Sequence, residues 1–101
     1  MALTVAITRD VEDRYRGFLA SAMLELAPGV YASPSLSARA RDKIWDVLSE
    51  WHSHLNHGSV VLIYPDTKAD GGLSVRHLGT PPRQALRLDG VLLTRLRVNA
   101  Q

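Results

Sequence analysis

The sequence predicts an α+β domain in which an antiparallel sheet packs two helices on one of its faces. Two long segments place apolar residues at spacings of three and four, the pattern of helices that bury one face, and each follows a strand-like segment. The rest of the chain is divided by Gly, Pro and Asp into short β-rich runs. A chain of 101 residues has the size of one compact domain, so we expect residues 1–101 to form a single unit.

Seven elements are predicted from these patterns. In chain order they are a strand at 3–8, a helix at 11–26, a strand at 30–32, a helix at 36–55, and strands at 59–64, 73–78 and 91–98.

The first helix follows the first strand directly. Asp10 is expected to be its N-cap, because a carboxylate there can accept hydrogen bonds from the first helical amides. Asp13 adds a second carboxylate in the first turn, where the helix dipole favours negative charge. The apolar stripe extends to Leu26, and Pro28 and Gly29 then end the helix, since proline cannot continue a helix and glycine accepts positive φ.

The second helix is expected to take its N-cap from Ser33 or Ser35 and to end near Gly58. Its apolar face includes Trp51, which we place in the core. Trp45 lies six residues earlier and points elsewhere, so that both a subunit contact and an ordinary surface position are open for it.

The remaining segments indicate further strands. The run at 59–64 is almost wholly apolar, which is typical of an interior strand covered on both faces. The turn cluster DTKADGG joins it to 73–78 as a hairpin. Residues 79–90 contain glycines and prolines and are interpreted as a loop, and 91–98 alternates as a last strand. Together the elements favour a ferredoxin-like sandwich.

The composition restricts the function classes. No cysteine is present, which excludes a disulfide framework, thiolate metal sites and a thiol nucleophile. The N-terminal segment has no basic leader, and no apolar run approaches the ~20 residues of a membrane helix. We therefore expect a soluble cytoplasmic protein with no membrane association. A core this small leaves little room for an enclosed substrate cavity, which favours a functional surface or a site between subunits.

Arginine supplies ten of the twelve basic residues, and its forked head matches phosphate oxygens. A genome that favours arginine codons would produce the same composition, so position has to decide. Five arginines near helix starts or in loops are our candidate nucleic-acid-binding residues, through contacts to backbone phosphates: Arg14, Arg16, Arg39, Arg41 and Arg83. A solvated helix face is the alternative for each one alone. Arg14 and Arg16 lie about 200° apart on a helix, so they would flank a strand of nucleic acid.

Motifs for catalysis are scarce. His52, His54 and His57 are separated by two, three and five residues, whereas helical metal ligands are normally paired at i and i+4. We interpret them as exposed polar residues near a helix end, without a specific role. Asp10 and Asp66 each follow a strand and could bind Mg²⁺, with helix cap and turn residue as the alternatives. Asp10 is the one weak candidate for catalysis and for metal binding.

With these elements placed, the chain resembles the small core adaptation protein of CRISPR systems, the "Cas-two" family, and specifically its type I-E branch. The matching stretches are the strand LTVAIT, the segment RYRG that opens the first helix, LELAPGVYAS across the turn, SARARDKIW in the second helix and LDGVLLTRLRV at the end. The resemblance covers nearly the whole chain, and the combination of these motifs is specific.

This resemblance implies a homodimer of ferredoxin-like fold that bridges two dimers of the CRISPR integrase and holds double-stranded prespacer DNA during spacer acquisition. Such a scaffold would require no cofactor. Carried over by position, Arg14 and Arg16 match the family's backbone-contacting arginines. Arg39 and Arg41 match basic residues on the second helix, and Arg83 matches one member of an arginine pair.

The chain departs from the family pattern at two positions. The second member of the arginine pair is Pro82 here, although Arg87 could supply charge nearby. The family is also named for metal-dependent endonuclease activity, which is linked to an aspartate at the end of the first strand, and the matching residue here is Arg9. A metal-dependent endoribonuclease or endodeoxyribonuclease that uses Mg²⁺ is therefore the alternative function. A regulatory dimer that binds a small ligand is a third class that the sequence leaves open.

The last strand and tail predict a subunit contact. An alternating terminal strand offers an unpaired edge, and pairing with another chain would satisfy its backbone donors and acceptors. We therefore expect residues 91–101 to contact another subunit.

Overall fold

The computed structural model describes residues 3–54, 57–79, 83–88 and 90–96, with backbone alone for 83–88 and 93–96. Its elements are, in chain order, β1 (Thr4–Arg9), α1 (Asp13–Ala22), β2 (Leu24–Ala27), β3 (Val30–Ser33), α2 (Ala38–His54), β4 (Ser59–Pro65), a short 3₁₀ helix (Asp70–Gly72), β5 (Leu73–Leu78), β6 (Arg83–Leu88) and β7 (Val91–Leu96). Five strands form one sheet in the order β2-β3-β1-β4-β5, and β6 pairs with β7. All of these pairs are antiparallel, which confirms the predicted α+β class.

Both helices pack on the same face of the five-stranded sheet. Side chains alternate along a strand, and those that point towards the helices are buried. The core cluster combines both layers: Ala6, Tyr31, Val60, Leu62 and Tyr64 from the sheet, and Tyr15, Leu19, Met23, Ile44 and Leu48 from the helical layer. The first four strands and two helices follow the order β1-α1-β2-β3-α2-β4 with β1 beside β3, as the ferredoxin-like prediction requires.

The opposite face of this sheet is apolar and carries no helix in the part of the chain that the structure describes. We name it the open sheet face and define it by Val5, Ile7, Leu24, Val30, Val61, Ile63 and Val75, which the strand registers place on one side. Ile7 is 40% exposed and Leu24 is 61% exposed. Strand β4 is interior, as predicted, but its side chains alternate between buried and half-buried. The prediction that both of its faces are covered is therefore wrong for the single chain.

Helix α1 ends four residues before the predicted limit at Leu26. Met23 is already extended, with φ −139° and ψ 169°, and the next four residues form β2, in which every residue is exposed. Leu24 and Leu26 alternate with Glu25 and Ala27 along an edge strand, and Leu26 alone also continues the helical spacing of Ala22 and Met23. The turn at Pro28 and Gly29 therefore joins two strands of a hairpin and does not end a helix.

Asp10 forms a left-handed turn between β1 and α1, and it is not the predicted N-cap. Its φ is 56°, a region that Asp tolerates better than most residues that carry a side chain. Glu12 occupies the N-cap position, without a side-chain hydrogen bond, and Asp13 lies in the first turn as predicted. Gly58, with φ 79°, packs against this turn so closely that a Cβ there would overlap the carbonyl oxygen of Asp10. Glycine at position 58 thus allows the two connections to touch.

The N-cap of α2 is Ser37, so the prediction of Ser33 or Ser35 is wrong. The Oγ of Ser37 accepts a hydrogen bond at 3.1 Å from the backbone amide of Ala40. Ser33 belongs instead to β3. Three serines within five residues offer the same capping chemistry, and only the start of the helix selects one of them.

The prediction of a loop at 79–90 is also wrong, because Arg83–Leu88 forms β6 and pairs with β7 along its whole length. The backbone amide of Gly71 donates to the carbonyl of Gly90 at 2.7 Å, which attaches this hairpin to the 3₁₀ helix. The last strand is confirmed at 91–96, whereas residues 97–101 lie outside the described part of the chain.

Neither α1 nor α2 has the length and hydropathy that are needed to cross a membrane.

Candidate nucleic-acid interface

Arg14 lies in the first turn of α1 and is held on two sides. Its Nε donates to Oε1 of Glu12 at 3.2 Å. The carbon of its guanidinium lies 4.8 Å from the ring centre of Trp51 on α2, within the range of a cation–π interaction. Trp51 in turn packs edge to face against Tyr15 and Phe18, with 5.4 Å between ring centres in both pairs. The side chain of Arg14 is still 47% exposed, so its charge reaches the solvent.

Arg16 lies on the other side of α1, towards the turn between β2 and β3. One of its nitrogens is 3.8 Å from a carboxylate oxygen of Asp13, and its side chain is 50% exposed. Burial raises the pKa of the Tyr31 phenol, Glu25 raises it further, and the guanidinium of Arg16 acts against both. Arg16 also borders a shallow notch of about 370 Å³ whose other lining residues are Thr8, Asp10, Val11, Pro28 and Gly29.

The two arginines therefore stand on opposite sides of the first turns of α1, as their predicted separation requires. Glu12 and Asp13 offset part of their charge through ion pairs at the surface. Exposed pairs of this kind contribute only about 0–1 kcal/mol, because water and salt screen them. A phosphate group can therefore compete with these carboxylates for both guanidinium groups.

Arg39 is exposed in the first turn of α2. A surface groove of about 830 Å³ extends along this helix towards Trp51, and it is lined by Arg39, Asp42, Lys43, Asp46, Val47, Glu50 and Trp51. Three carboxylates in the groove would repel a phosphodiester backbone. The groove therefore does not link Arg39 to Arg14 as a continuous basic strip, and Arg39 is available as a separate contact.

Arg41 is largely enclosed, with only 16% of its side chain exposed. Its guanidinium carbon lies 3.9 Å from the ring centre of Tyr64, and its Nε is 3.3 Å from Oδ1 of Asp42. Arg76 of β5 approaches the same carboxylate oxygen at 3.0 Å and the same ring at 5.3 Å. These contacts join α2 to β4 and β5, and they leave little of the Arg41 charge accessible to a phosphate.

The carboxylate of Asp42 is the centre of this cluster. Burial acts to raise the pKa of Asp42, but hydrogen bonds and charge attraction from Arg41 and Arg76 outweigh it. The pKa is therefore below its ordinary value of 3.8. A carboxylate between two guanidinium groups stays ionised at neutral pH, so the cluster retains one negative charge between two positive ones.

The five predicted arginines thus occupy different environments. Arg14 and Arg16 lie on opposite sides of the N-terminal end of α1, Arg39 is exposed on α2, and Arg41 is enclosed. The backbone places Arg83 in β6, and its side chain lies outside the described part of the chain.

The surroundings of Asp10 do not fit a Mg²⁺ site within one chain. Its side chain is exposed and shares the notch with Arg16, and Arg9 directly precedes it. Mg²⁺ is bound by several oxygen ligands, usually with one or two carboxylates, and neighbouring guanidinium groups oppose it. The described residues contain no group of three or more His, Cys, Asp or Glu side chains arranged to hold a metal ion.

Asp66, the other acidic candidate, has a turn role in the structure. Its Oδ1 accepts a hydrogen bond from the backbone amide of Lys68 at 3.0 Å, and its Oδ2 accepts one from the hydroxyl of Ser74 at 2.8 Å. These bonds are typical of an aspartate that fixes the start of a turn.

The three histidines of α2 and the following connection do not converge. The prediction of an exposed position is wrong for His52, which is buried because it continues the face of α2 that carries Leu48 one turn earlier. Its Nε2 lies 3.4 Å from the carbonyl oxygen of Gly58. His54 and His57 are exposed, as predicted.

Sequence reasoning missed the residues that hold the arginines in place. Trp51 was assigned to the core alone, and it is half-buried with Arg14 above its ring. Trp45 is also half-buried and packs against the core. Glu12 lies two residues before Arg14, so the sequence itself indicates that these two side chains can pair. Trp51 is 37 residues away from Arg14, and no local pattern indicates that contact.

The comparison with known families agrees with this architecture. A family model described as CRISPR-associated protein (Cas_Cas2CT1978) matches residues 3–93. The match extends from β1 into β7 and includes both helices and all five candidate arginines. Because it spans nearly the whole chain, the protein belongs to this CRISPR-associated Cas2-type family.

Proposed function

We propose that this chain is the dimeric scaffold subunit of a type I-E CRISPR adaptation complex, which bridges two integrase dimers and holds double-stranded prespacer DNA through its backbone. Membership of the Cas2-type family supports a role in a CRISPR system. The observation that carries the DNA-holding part is the position of Arg14 and Arg16, both about half exposed on opposite sides of α1. Two such guanidinium groups can contact phosphates on either side of the helix without reading base sequence.

The open sheet face supports the homodimer. Contiguous exposed apolar surface on a soluble domain is typical of an interaction site. A second copy presents the same apolar face, so two copies related by a two-fold axis would bury both faces against each other. Arg9 is exposed at the end of β1 and shares the side of Val5 and Ile7, which places its charge at the margin of this face.

A symmetric dimer also accounts for the bridging role. It presents every arginine twice, so a duplex would be contacted at two related points, and each half would offer one integrase-binding surface. The β6–β7 hairpin and residues 97–101 are our candidates for that surface, since the sequence predicts a subunit contact at 91–101 and Val91 is 49% exposed.

Co-purification with the integrase encoded beside this chain tests the proposal. We expect the two proteins to elute together from size-exclusion columns, the chain alone to have the mass of a dimer by light scattering, and the complex to bind duplex DNA at low salt. Ile7→Lys should dissociate the dimer, whereas Ala20→Lys adds the same charge to an exposed position on α1 and should not. A complex without affinity for duplex DNA, or no complex at all, would contradict the scaffold function.

A metal-dependent endonuclease is the second candidate, because Asp10 is exposed immediately after β1. The donor set around it is unfavourable, because Arg9 directly precedes it in the chain and Arg16 lines the same notch. Incubation of the purified dimer with RNA and with duplex DNA, in Mg²⁺ or Mn²⁺, separates the two functions. Cleavage by the native chain that is lost in Asp10→Ala would establish the nuclease.

A further inference from the structure

Arg14 is held by two contacts to different parts of the fold. Its Nε is bonded to Glu12 at 3.2 Å, and the carbon of its guanidinium lies over the ring of Trp51, 4.8 Å from the ring centre. The ion pair of Arg16 is longer, at 3.8 Å, and the carboxylate of its partner Asp13 is fully exposed. An exposed partner gives little restraint, because it loses side-chain entropy when it pairs.

The ring beneath Arg14 is itself held firmly. Trp51 contacts Tyr15 at 5.4 Å and 69° between ring planes, and Phe18 at 5.4 Å and 70°. Tyr15 is fully buried. Edge-to-face pairs of this kind are a preferred arrangement of aromatic rings and stabilise one orientation of the ring beyond its apolar packing. The junction between α1 and α2 therefore supplies a rigid platform for one guanidinium.

These contacts leave one edge of the guanidinium available. The Nε is used by Glu12 and the guanidinium carbon lies over the ring of Trp51, whereas the two terminal nitrogens make no further hydrogen bond within the described residues. Those two nitrogens form the fork that binds two oxygens of one phosphate. A fork that is already oriented loses less conformational entropy when it binds.

We propose that Trp51 is a positioning residue for Arg14, which holds its guanidinium with the fork towards a DNA phosphate. The proposal rests on the DNA-holding function proposed above and adds to it an aromatic residue that does not itself contact the DNA. Trp51 acts through the cation–π contact, so its effect on affinity depends on the presence of Arg14.

A double-mutant cycle on duplex affinity tests this dependence. The dissociation constant of the integrase complex for a duplex is measured at low salt for Trp51→Leu, Arg14→Ala and the double variant. We expect Trp51→Leu to weaken binding roughly three-fold for each copy of Arg14 that contacts the duplex, since an exposed cation–π contact of about 0.5–1 kcal/mol corresponds to that change. We expect no additional loss from Trp51→Leu when Arg14 is already alanine.

Two control variants separate positioning from packing. Trp51→Phe retains a ring beneath Arg14 and should restore most of the affinity. Trp45→Leu removes the other half-buried tryptophan of α2, which has no contact with Arg14, and should leave affinity unchanged. If Trp51→Leu does not fold, a second variant, Trp45→Phe, tests the proposal. Trp51 is then the one tryptophan left in this chain. We expect the fluorescence emission of Trp51 to change when duplex DNA is added.

The outcomes distinguish the two proposals. A native complex that does not bind duplex DNA contradicts the proposed function itself. A complex that binds DNA contradicts the role of Trp51 alone if the loss from Trp51→Leu persists in the Arg14→Ala background, or if Trp51→Leu binds like the native chain. The proposed role of Trp51 is also contradicted if its fluorescence emission does not change when duplex DNA binds, or if the emission changes equally in Arg14→Ala.

Discussion

The guanidinium carbon of Arg41 lies 3.9 Å from the ring centre of Tyr64, which fastens the start of α2 to strand β4. Arg39, two residues earlier, is exposed on the same helix. The two arginines belong to one basic segment of the sequence, yet a turn of about 200° separates their side chains. One of them therefore stabilises the fold, and the other is available to a ligand.

Replacement of these two arginines should affect different properties, the stability of the fold for Arg41 and the affinity for duplex DNA for Arg39. We expect Arg41→Ala to lower the free energy of unfolding by about 1–3 kcal/mol, because it removes a partly buried cation–π contact and a charged hydrogen bond. Arg39→Ala should leave stability nearly unchanged and weaken duplex binding. Urea denaturation measures the first quantity and fluorescence anisotropy the second. Equal stability of the two variants would show that the Tyr64 contact is unimportant.

Acid should weaken the cluster around Asp42. Its pKa in the folded protein lies below the ordinary value of 3.8 because Arg41 and Arg76 outweigh the opposing effect of burial. The carboxylate therefore adds stability above pH 3.8, and this contribution disappears as the pH falls through the folded pKa. We expect Asp42→Asn to be less stable than the native chain at pH 6 and to approach its stability at the acidic end of a urea-denaturation series. Asp46→Asn, an exposed carboxylate on the same helix, is the control. A difference that stays constant with pH would exclude the linkage.

Gly58 should tolerate alanine less well than Gly72. Both have left-handed backbone, with φ 79° and 73°, so a side chain costs about 1–2 kcal/mol at either position. Only at Gly58 would the added Cβ overlap the Asp10 carbonyl, since nothing lies within 4 Å of a Cβ at Gly72. We expect Gly58→Ala to unfold at a clearly lower temperature than Gly72→Ala, by the equivalent of about 1–3 kcal/mol of overpacking. Matching melting curves would refute a tight contact between the two turns.

Loss of both arginines from α1 should weaken DNA binding without changing sequence preference. Phosphate contacts release counterions, so the slope of log affinity against log salt should fall in magnitude by about 0.9 for each contact removed. Because a symmetric dimer presents each arginine twice, we expect Arg14→Ala with Arg16→Ala to reduce this slope by nearly four such steps, and Lys68→Ala, an exposed lysine in a turn, to have no effect. Anisotropy titrations on two unrelated duplexes across a salt series measure both properties. An unchanged slope would remove these residues from the interface.

Truncation after Gly90 should separate folding from assembly. The shortened chain retains the five-stranded sheet and the bond between Gly71 and the carbonyl of Gly90, so we expect it to fold. It lacks β7 and the tail, which are the expected subunit contact. Circular dichroism reports the fold, and co-elution with the integrase reports the assembly. A truncated chain that still assembles would place the contact elsewhere.

The α+β class followed from local patterns, whereas two strands did not. Spacings of three and four predicted both helices, and strand-like runs predicted β1, β4 and β5. Strand β2 was assigned to a helix because Leu26 continues the spacing of Ala22 and Met23, and β6 was assigned to a loop because turn residues surround Arg83–Leu88. In both cases pairing with a neighbouring strand decides the conformation, and pairing depends on the partner as well as on local preference.

The sequence by itself determined the fold class, the family resemblance and the placement of Arg14 and Arg16 on opposite sides of one helix. These properties depend on composition and on fixed rotations between neighbouring residues, which any single element already contains. Only the tertiary structure decided that Trp51 lies beneath Arg14 and that Tyr64 encloses Arg41. Such contacts join residues that are distant in the chain, and they exist only after the helices have packed on the sheet.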